Sequence, residues 1–483
     1  MNCIVKKAKK NKINAVVCVI TLFVMIMFAL QCKTYAVESG SSNEQYNKID
    51  DYLLSCSQDA HIPAMTVTIV NKDQVLFSKN YGQVENCDTP FVLGSVSKSF
   101  TAVCIMQLVE QGMIDLNDTI SKYLPDATDG DRITVSQLLN HTGGLGEYQT
   151  LANYKIINEQ GVHNYANVNY SLLGKIIEEV SGMPYEDYIT KNIFEPLSLS
   201  NTAATLDKSI KNGLIDGYTN YWGLHLKRDH KYPESDDAWI TVPAGYISSS
   251  ANDLGRYLQM YLNGGEGTIS QQSIDTIFYG DTVFVDGDVP FWYGYGWAEI
   301  KEPLPEPVLR HSGLVETGTS CIFIIPESGI GIAITANVND YFVTNEMMDS
   351  LGWGVVLMLL GEQPNEISEN AYWLSHLQID LIMFAVFVIA VILLCLIPSY
   401  RKRIQRNKPV RSFIWLGIAH LLAPILILLI VPVIFKTPLW VAKSFVPDVY
   451  ITVVVSAVYS FFGGAVKTAL LWRLIKDGSI KVE

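Results

Sequence analysis

Basic residues are scarce along most of this chain. Residues 37–376 carry 17 lysines and arginines against 44 aspartates and glutamates, a net charge of −27. A surface of that sign disfavours nucleic acid and anionic lipid headgroups as partners. It is either a solvated face or one that favours cationic ligands. Cysteine is sparse too, with eight in 483 residues, and only Cys56, Cys87, Cys104 and Cys321 fall in the acidic stretch. Four such residues make no disulfide framework. Cys104 and Cys321 lie in apolar runs and read as buried thiols, and whether Cys56 pairs with Cys87 is left open. No Cys/His cluster has zinc spacing, no Walker A glycine loop is present, and no internal repeat is visible. The sequence therefore calls for no metal or cofactor and excludes P-loop and solenoid architectures.

Long apolar runs are abundant instead, and mean hydropathy is positive. Lys6, Lys7, Lys9, Lys10 and Lys12 precede the apolar residues 13–30, and Thr34-Tyr35-Ala36 follows at the spacing of a signal-peptidase site. Residues 1–36 read as a signal peptide, with an uncleaved N-terminal anchor as the alternative. Three uncharged stretches, 381–399, 412–435 and 449–466, have about the length of a membrane-spanning helix. Arg401, Lys402, Arg403, Arg406, Lys408 and Arg411 follow the first of them. The positive-inside rule puts this loop in the cytoplasm and residues 37–380 outside. Tyr372 and Trp373 sit where an interfacial aromatic belt is expected. The organisation read from the chain is 1–36 signal or anchor, 37–362 exported domain, 363–380 linker and 381–483 three-helix anchor.

The chemistry starts at Ser95-Val96-Ser97-Lys98, which follows Phe91-Val92-Leu93-Gly94 and opens a helix-like run. Positions i and i+3 share a helix face, so the Lys98 amine sits beside the Ser95 hydroxyl. A serine needs a base to take its proton, and a desolvated lysine can be that base. The pattern alone is weak. Ser399 to Lys402 repeats it in a basic loop where no site is plausible.

Two further patterns follow in order. Tyr165-Ala166-Asn167 precedes a helix-like run, and His311-Ser312-Gly313 precedes the strand-like run 319–325. Y-x-N also occurs at Tyr218 and Tyr261, and H-x-G at His141, which reads as structural because Gly143-Gly144 ends its short helix. Residues 44–57 read as an amphipathic helix, 65–70 and 74–77 as strands around Asn71-Lys72-Asp73, 321–325 and 330–336 as a second strand pair, and 342–360 as a final helix.

Taken together, Leu93-Gly94-Ser95-Val96-Ser97-Lys98-Ser99-Phe100, the segment 133–145, Tyr165-Ala166-Asn167, Pro243-Ala244-Gly245-Tyr246, Tyr293-Gly294-Tyr295-Gly296-Trp297 and His311-Ser312-Gly313 resemble the serine β-lactamase and penicillin-binding-protein superfamily, in its class C or D-aminopeptidase-like branch. The resemblance spans roughly residues 45–360. It implies an α/β fold, an antiparallel sheet flanked by helices plus a helical subdomain, with the site between them. The layout of signal, catalytic domain and three spans resembles that of prodrug-maturation peptidases of the colibactin-maturation type and of some staphylococcal penicillin-binding-like proteins.

The resemblance also implies roles. Ser95 is the nucleophile and Lys98 its base. Tyr165 shuttles protons to the leaving group, as a tyrosinate whose pKa Lys98 lowers. Asn167 binds the substrate amide or orients Lys98, and His311, Ser312 and Gly313 form the substrate-binding edge. The backbone N–H groups of Ser95 and Leu314 make the oxyanion hole. His311 stands where many β-lactamases have lysine, which weakens recognition of a β-lactam carboxylate. No glutamate is assignable as a class A deacylating base. The expected function is a membrane-anchored serine peptidase. It forms an acyl-enzyme on a small peptide or acyl-D-amino-acid substrate, in precursor maturation or cell-wall trimming. A class C-like β-lactamase or an esterase is the alternative, and a non-enzymatic sensor is a third reading. The expected partners are that substrate and the lipid bilayer, with no nucleic acid. The sequence leaves the oligomeric state undetermined.

Overall fold

Apolar runs from the two ends of the acidic stretch meet in one sheet. The structure, a computed structural model, describes residues 44–233, 235–286, 289–404, 409–434 and 436–479, so residues 1–36, expected as a signal peptide or N-terminal anchor, lie outside the described residues. The sheet has eight strands: β1 (Ala64–Asn71), β2 (Val75–Gly82), β3 (Val283–Val285), β4 (Phe291–Tyr293), β5 (Ala298–Ile300), β6 (Val308–Val315), β7 (Gly318–Ile325) and β8 (Ile330–Ala336). Their order is β2-β1-β8-β7-β6-β5-β4-β3, and every pairing is antiparallel. β1 sits beside β8 with Met65 opposite Ala336, although the two are far apart in sequence. All eight residues of β7 are buried. A strand covered on both faces reads as a continuous apolar run rather than an alternating one.

Four helices matter to the argument: α1 (Glu44–Asp59), α2 (Ser97–Glu110), α3 (Asn167–Ser181) and α4 (Thr344–Leu359). Ile49, Leu53 and Cys56 of α1 lie on one face at helical spacing and are buried with Leu351 and Val355 of α4 and Phe323 of β7. The opposite face of the sheet carries the helical subdomain. There α2 is enclosed on all sides, with every residue from Ser97 to Leu108 buried. A helix apolar all round belongs in a core, which makes this one a rigid mount for its first turn. Thr134 and Gln137 close a capping box on the short helix Val135–Leu139. The cysteines Cys56, Cys87, Cys104 and Cys321 are separate buried thiols, with no bond between Cys56 and Cys87.

Among the described residues, three helices are long and apolar enough to cross a membrane: Glu369–Cys395, Phe413–Val433 and Pro447–Lys476. The stretch expected as a linker is extended only to Ser368, whose hydroxyl caps the first long helix by accepting from Ala371 N. Tyr372, expected in an aromatic belt, is instead buried, with its ring 4.3 Å from that of His61 and 4.6 Å from that of His376. His376 Nε2 lies 3.0 Å from the Asp340 carboxylate. The polar residues ahead of the apolar run therefore dock the helix on the domain, where composition alone suggested a tether. Phe342, expected as the start of the last domain helix, precedes α4 and packs with Val431, Ala442 and Val449 of the membrane-type segment.

Candidate active site

Ser95 sits in a tight turn, Gly94–Val96, that runs into α2. Gly94 has a φ of +58°, and a Cβ there would lie 2.2 Å from Leu314 N. A Cβ on Gly313 would lie 1.9 Å from Leu93 O and 2.9 Å from Ser95 N. Only two glycines let the turn and strand β6 approach this closely, which brings the Ser95 and Leu314 amides close together. Ser320 of β7 donates to Leu93 O at 2.5 Å and pins the turn from below. β6 pairs with β5 only over Val308–Arg310, so the edge from His311 onward is not covered by β5. An open edge of this kind accepts an extended chain through its backbone groups.

The Lys98 side chain is wholly buried. Its Nζ lies 3.0 Å from Ser95 Oγ, 2.8 Å from Asn167 Oδ1 and 2.7 Å from Ala244 O. The last two atoms can only accept. A neutral amine gives them both of its hydrogens and turns its lone pair to the serine hydroxyl. Burial favours that neutral form by holding Lys98 well below the ordinary lysine range. The arrangement can thus take a proton from Ser95.

Tyr165 packs its ring 4.8 Å from Lys98 Nζ. Burial pushes its phenol above the ordinary tyrosine range, with only a smaller opposing effect of Ser95. This corrects the expected tyrosinate. A lysine that is itself neutral supplies no positive charge to stabilise a phenolate, so the phenol stays protonated and is a proton donor.

His311 is 7 % exposed. Its Nδ1–H donates to Ser312 O at 2.7 Å, because a carbonyl cannot donate, and its Nε2 accepts from the Tyr293 hydroxyl at 3.1 Å. Burial lowers it to about 3 and that of neighbouring His163 to about 4. His311 is therefore a neutral imidazole and not a stand-in for a cationic lysine. His141 is buried, with Nδ1 accepting from Ala166 N at 3.3 Å and lying 2.8 Å from Asn169 Nδ2. It holds the start of α3, in line with its structural reading.

Ser95, Tyr165, His311, Ser312, Gly313 and Leu314 line one cleft of about 990 Å³, joined by His163, Phe291, Tyr293 and Tyr341. The cleft continues around the β6 edge to Arg310, whose guanidinium is bound to Asp349. The structure thus brings Ser95, Lys98, Tyr165, Asn167 and the 311–314 edge together. The alternative tyrosines lie elsewhere, Tyr261 in the core beside Tyr257 and Trp297, and Tyr218 on a separate small sheet. Ser399 of the second S-x-x-K donates to Leu396 O at the end of the first long helix. Sequence reasoning gave no role to Ala244 or Tyr293. Both stand in motifs quoted above, Pro243-Ala244-Gly245 and Tyr293-Gly294-Tyr295, which were the available signal.

Known proteins resemble this chain in sequence and in fold. The chain is 25% identical over 81% of its length to protein flp of Staphylococcus aureus, covering 83% of that relative. It is 32% identical over 45% of its length to a Staphylococcus aureus teichoic acid D-alanine hydrolase, covering 58% of it. An octameric penicillin-binding protein homologue from Pyrococcus abyssi superposes with a TM-score of 0.57 at 26% identity, over 68% of this chain and 80% of that one. A class C β-lactamase shares the fold at a TM-score of 0.56 and 18% identity, over 67% of this chain and 98% of that one. The family model described as Beta-lactamase matches residues 49–351, the stretch that holds Ser95, Lys98, Tyr165 and the His311 to Leu314 edge, and the chain is a member of that family.

Proposed function

We propose that the protein is a membrane-anchored serine peptidase that forms an acyl-enzyme at Ser95 on substrates with a D-residue N-terminal to the scissile bond. The observation that carries this reading is the Lys98 amine, 3.0 Å from Ser95 Oγ with two pure acceptors behind it. In this reading Lys98 takes the Ser95 proton as the hydroxyl attacks the carbonyl. The Ser95 and Leu314 amides hold the oxyanion. The Tyr165 phenol donates a proton to the leaving amine and recovers it from the water that later hydrolyses the ester, while Lys98 returns its proton to the departing Ser95 oxygen. Asn167 keeps Lys98 aimed. The 311–314 edge and the two amides fix the carbonyl, so only one hand of Cα directs its side chain into the cleft. Paired N-acyl-D- and N-acyl-L-alanyl amides test this. The D-epimer is expected to react at least ~100-fold faster, the scale of misplacing a carbonyl in such a hole. Equal rates would defeat the proposal.

The alternative is an esterase or a class C-like β-lactamase. The neutral His311 gives no cation for a β-lactam carboxylate. An ester with a good leaving group needs little help from the Tyr165 proton, whereas an amine cannot leave without one. Tyr165→Phe is therefore expected to cut amide turnover by about 100- to 10,000-fold while costing an activated aryl ester far less. Equal losses on both would remove Tyr165 as the leaving-group acid.

The basic residues 401–411 support placing that loop in the cytoplasm and the catalytic domain outside it. A protease added to intact spheroplasts is expected to cut within residues 37–380 and spare the loop, and the reverse pattern would invert this topology.

A further inference from the structure

One hairpin of the domain is fastened to the ends of the long helices, although the chain does not enter them there. Its strands are Gly217–Tyr221 and Leu224–Arg228. Asp448, in the first turn of the helix Pro447–Lys476, accepts from Trp222 N at 3.0 Å and from Asn220 Nδ2 at 3.3 Å. Arg228 donates to Ser444 O at 2.5 Å. Gly223 packs on the first long helix, where a Cβ would lie 3.9 Å from the His376 ring and 4.0 Å from that of Trp373. The short helix Leu439–Phe445 docks on the domain as well. Its Trp440 ring is 5.8 Å from that of Trp239, and Phe445 O accepts from Asn339 Nδ2 at 2.9 Å.

These contacts fix the depth of the hairpin. Val449 opens the uncharged run 449–466, so Asp448 marks the domain-side edge of the hydrocarbon. His376 stands five residues before the uncharged run 381–399, which is about 8 Å above that edge at the rise of a helix. A headgroup layer is roughly 5–8 Å deep, so the turn Trp222-Gly223 lies within it. Leu224 and Leu226 share one face of their strand, the outer one of its small sheet. His225 between them points the other way, with its Nε2 3.9 Å from the buried Asp340 carboxylate. The leucine face is thus turned away from the domain, and Trp222, Leu224 and Leu226 are 40%, 42% and 49% exposed. Tyr221 pairs with Leu224 across the turn, whose central residues both have positive φ, +52° at Trp222 and +77° at Gly223. Asparagine or glycine fits the first of these places, and a bulky side chain rarely does. An indole is held at the tip against the preference of the turn.

We propose that this hairpin is a membrane contact in its own right, with the Trp222 indole in the headgroup layer of the domain-side leaflet and Leu224 and Leu226 against its outermost acyl carbons. This rests on the reading of the three helices as spans and on nothing at Ser95. A tryptophan ring, apolar in body with one N–H, suits that layer. The strongly acidic domain does not attract anionic lipid. Lys227 is paired with Asp216 at 2.7 Å, so the hairpin binds by burying apolar surface rather than by charge. The contact lies off the path by which the chain enters the bilayer. It therefore holds the domain at a second point and sets its tilt over the membrane.

The test uses the unaltered full chain in vesicles of phosphatidylethanolamine and phosphatidylglycerol, with a phosphatidylethanolamine that carries a diazirine beside its headgroup. Photolysis is expected to label the peptide covering 217–228 as well as the long helices. Labelled helices with a bare 217–228 would overturn the hairpin contact and leave the anchor standing. A chain labelled in neither would overturn both. Benzoylphenylalanine in place of Leu226 is expected to cross-link to lipid, and in place of Val75 to give no lipid adduct. Val75 is 53% exposed and pairs with Val70, at the end of β1 away from His61. Cross-links from position 226 to a second copy of the chain, or equal lipid yields at both positions, would overturn the proposal. Trp222→Asn suits the turn, so it is expected to raise the melting temperature in detergent while removing most of the labelling of 217–228. Undiminished labelling would reject the indole as the contact. Hydrolysis is read in none of these measurements, so the serine peptidase reading stands or falls apart from them.

Discussion

Replacing Lys98 by methionine is expected to lower turnover by about 100- to 10,000-fold, the usual worth of a positioned base. Methionine matches the length of the buried stem but offers no lone pair to Ser95. It also strands Ala244 O and Asn167 Oδ1 without their donor. Each stranded acceptor costs roughly 1–3 kcal/mol, so the melting temperature falls as well. Lys98→Arg separates the two effects. A guanidinium still donates hydrogen bonds but never gives up its charge, so turnover is expected to fall by the same ~100-fold or more. The acid limb of the kcat/KM profile carries the same information. Activity needs the neutral amine and rises as Lys98 loses its proton. Burial moves that rise well below the ordinary lysine range. An Lys98→Arg protein retaining a tenth of the activity, or a limb at the ordinary lysine value, would contradict a neutral lysine base.

Gly313→Ala is expected to be nearly as damaging without touching any polar side chain. The new methyl would stand 1.9 Å from Leu93 O and 2.9 Å from Ser95 N. Both are backbone atoms, so no side chain can swing aside. Strand β6 and the Ser95 turn must part, and the two amides no longer meet around one oxygen. Losing one such donor typically costs about 100- to 1,000-fold in kcat. Far-UV circular dichroism of the variant is expected to keep the sheet signal, because Gly313 contributes a single pair, with Ser320, to the β6–β7 ladder that runs from Leu309 to Val315. Full activity with an intact ladder would place the oxyanion elsewhere.

What the sequence made legible was whatever depends on spacing along one element. Ser95 and Lys98 are one helical turn apart, so their meeting follows from helix geometry alone. The three apolar helices follow from composition, and strands 321–325 and 330–336 from their length and β-branched content. The missed parts depend on groups brought together from afar. Ala244 acts through its carbonyl, an atom that every residue has, so its side chain carries no signal. The charge states of Tyr165 and His311 depend on burial, which no local pattern reports. That is why the tyrosinate expectation failed: it counted the Lys98 charge without the desolvation that removes it. The docking of Trp440 on Trp239 joins segments about 200 residues apart, and the apolar runs around Trp440 looked like membrane anchor alone.

The most direct measurement is the intact mass of the full chain, mixed in detergent with an activated N-acyl-D-alanyl aryl ester and quenched in acid within seconds. The account expects one added N-acyl-D-alanyl group, mapped by peptide analysis to Ser95, with no adduct from the L-ester and none on the Ser95→Ala chain. An adduct that persists in Ser95→Ala, or hydrolysis of the ester at an undiminished rate by that variant, would contradict it.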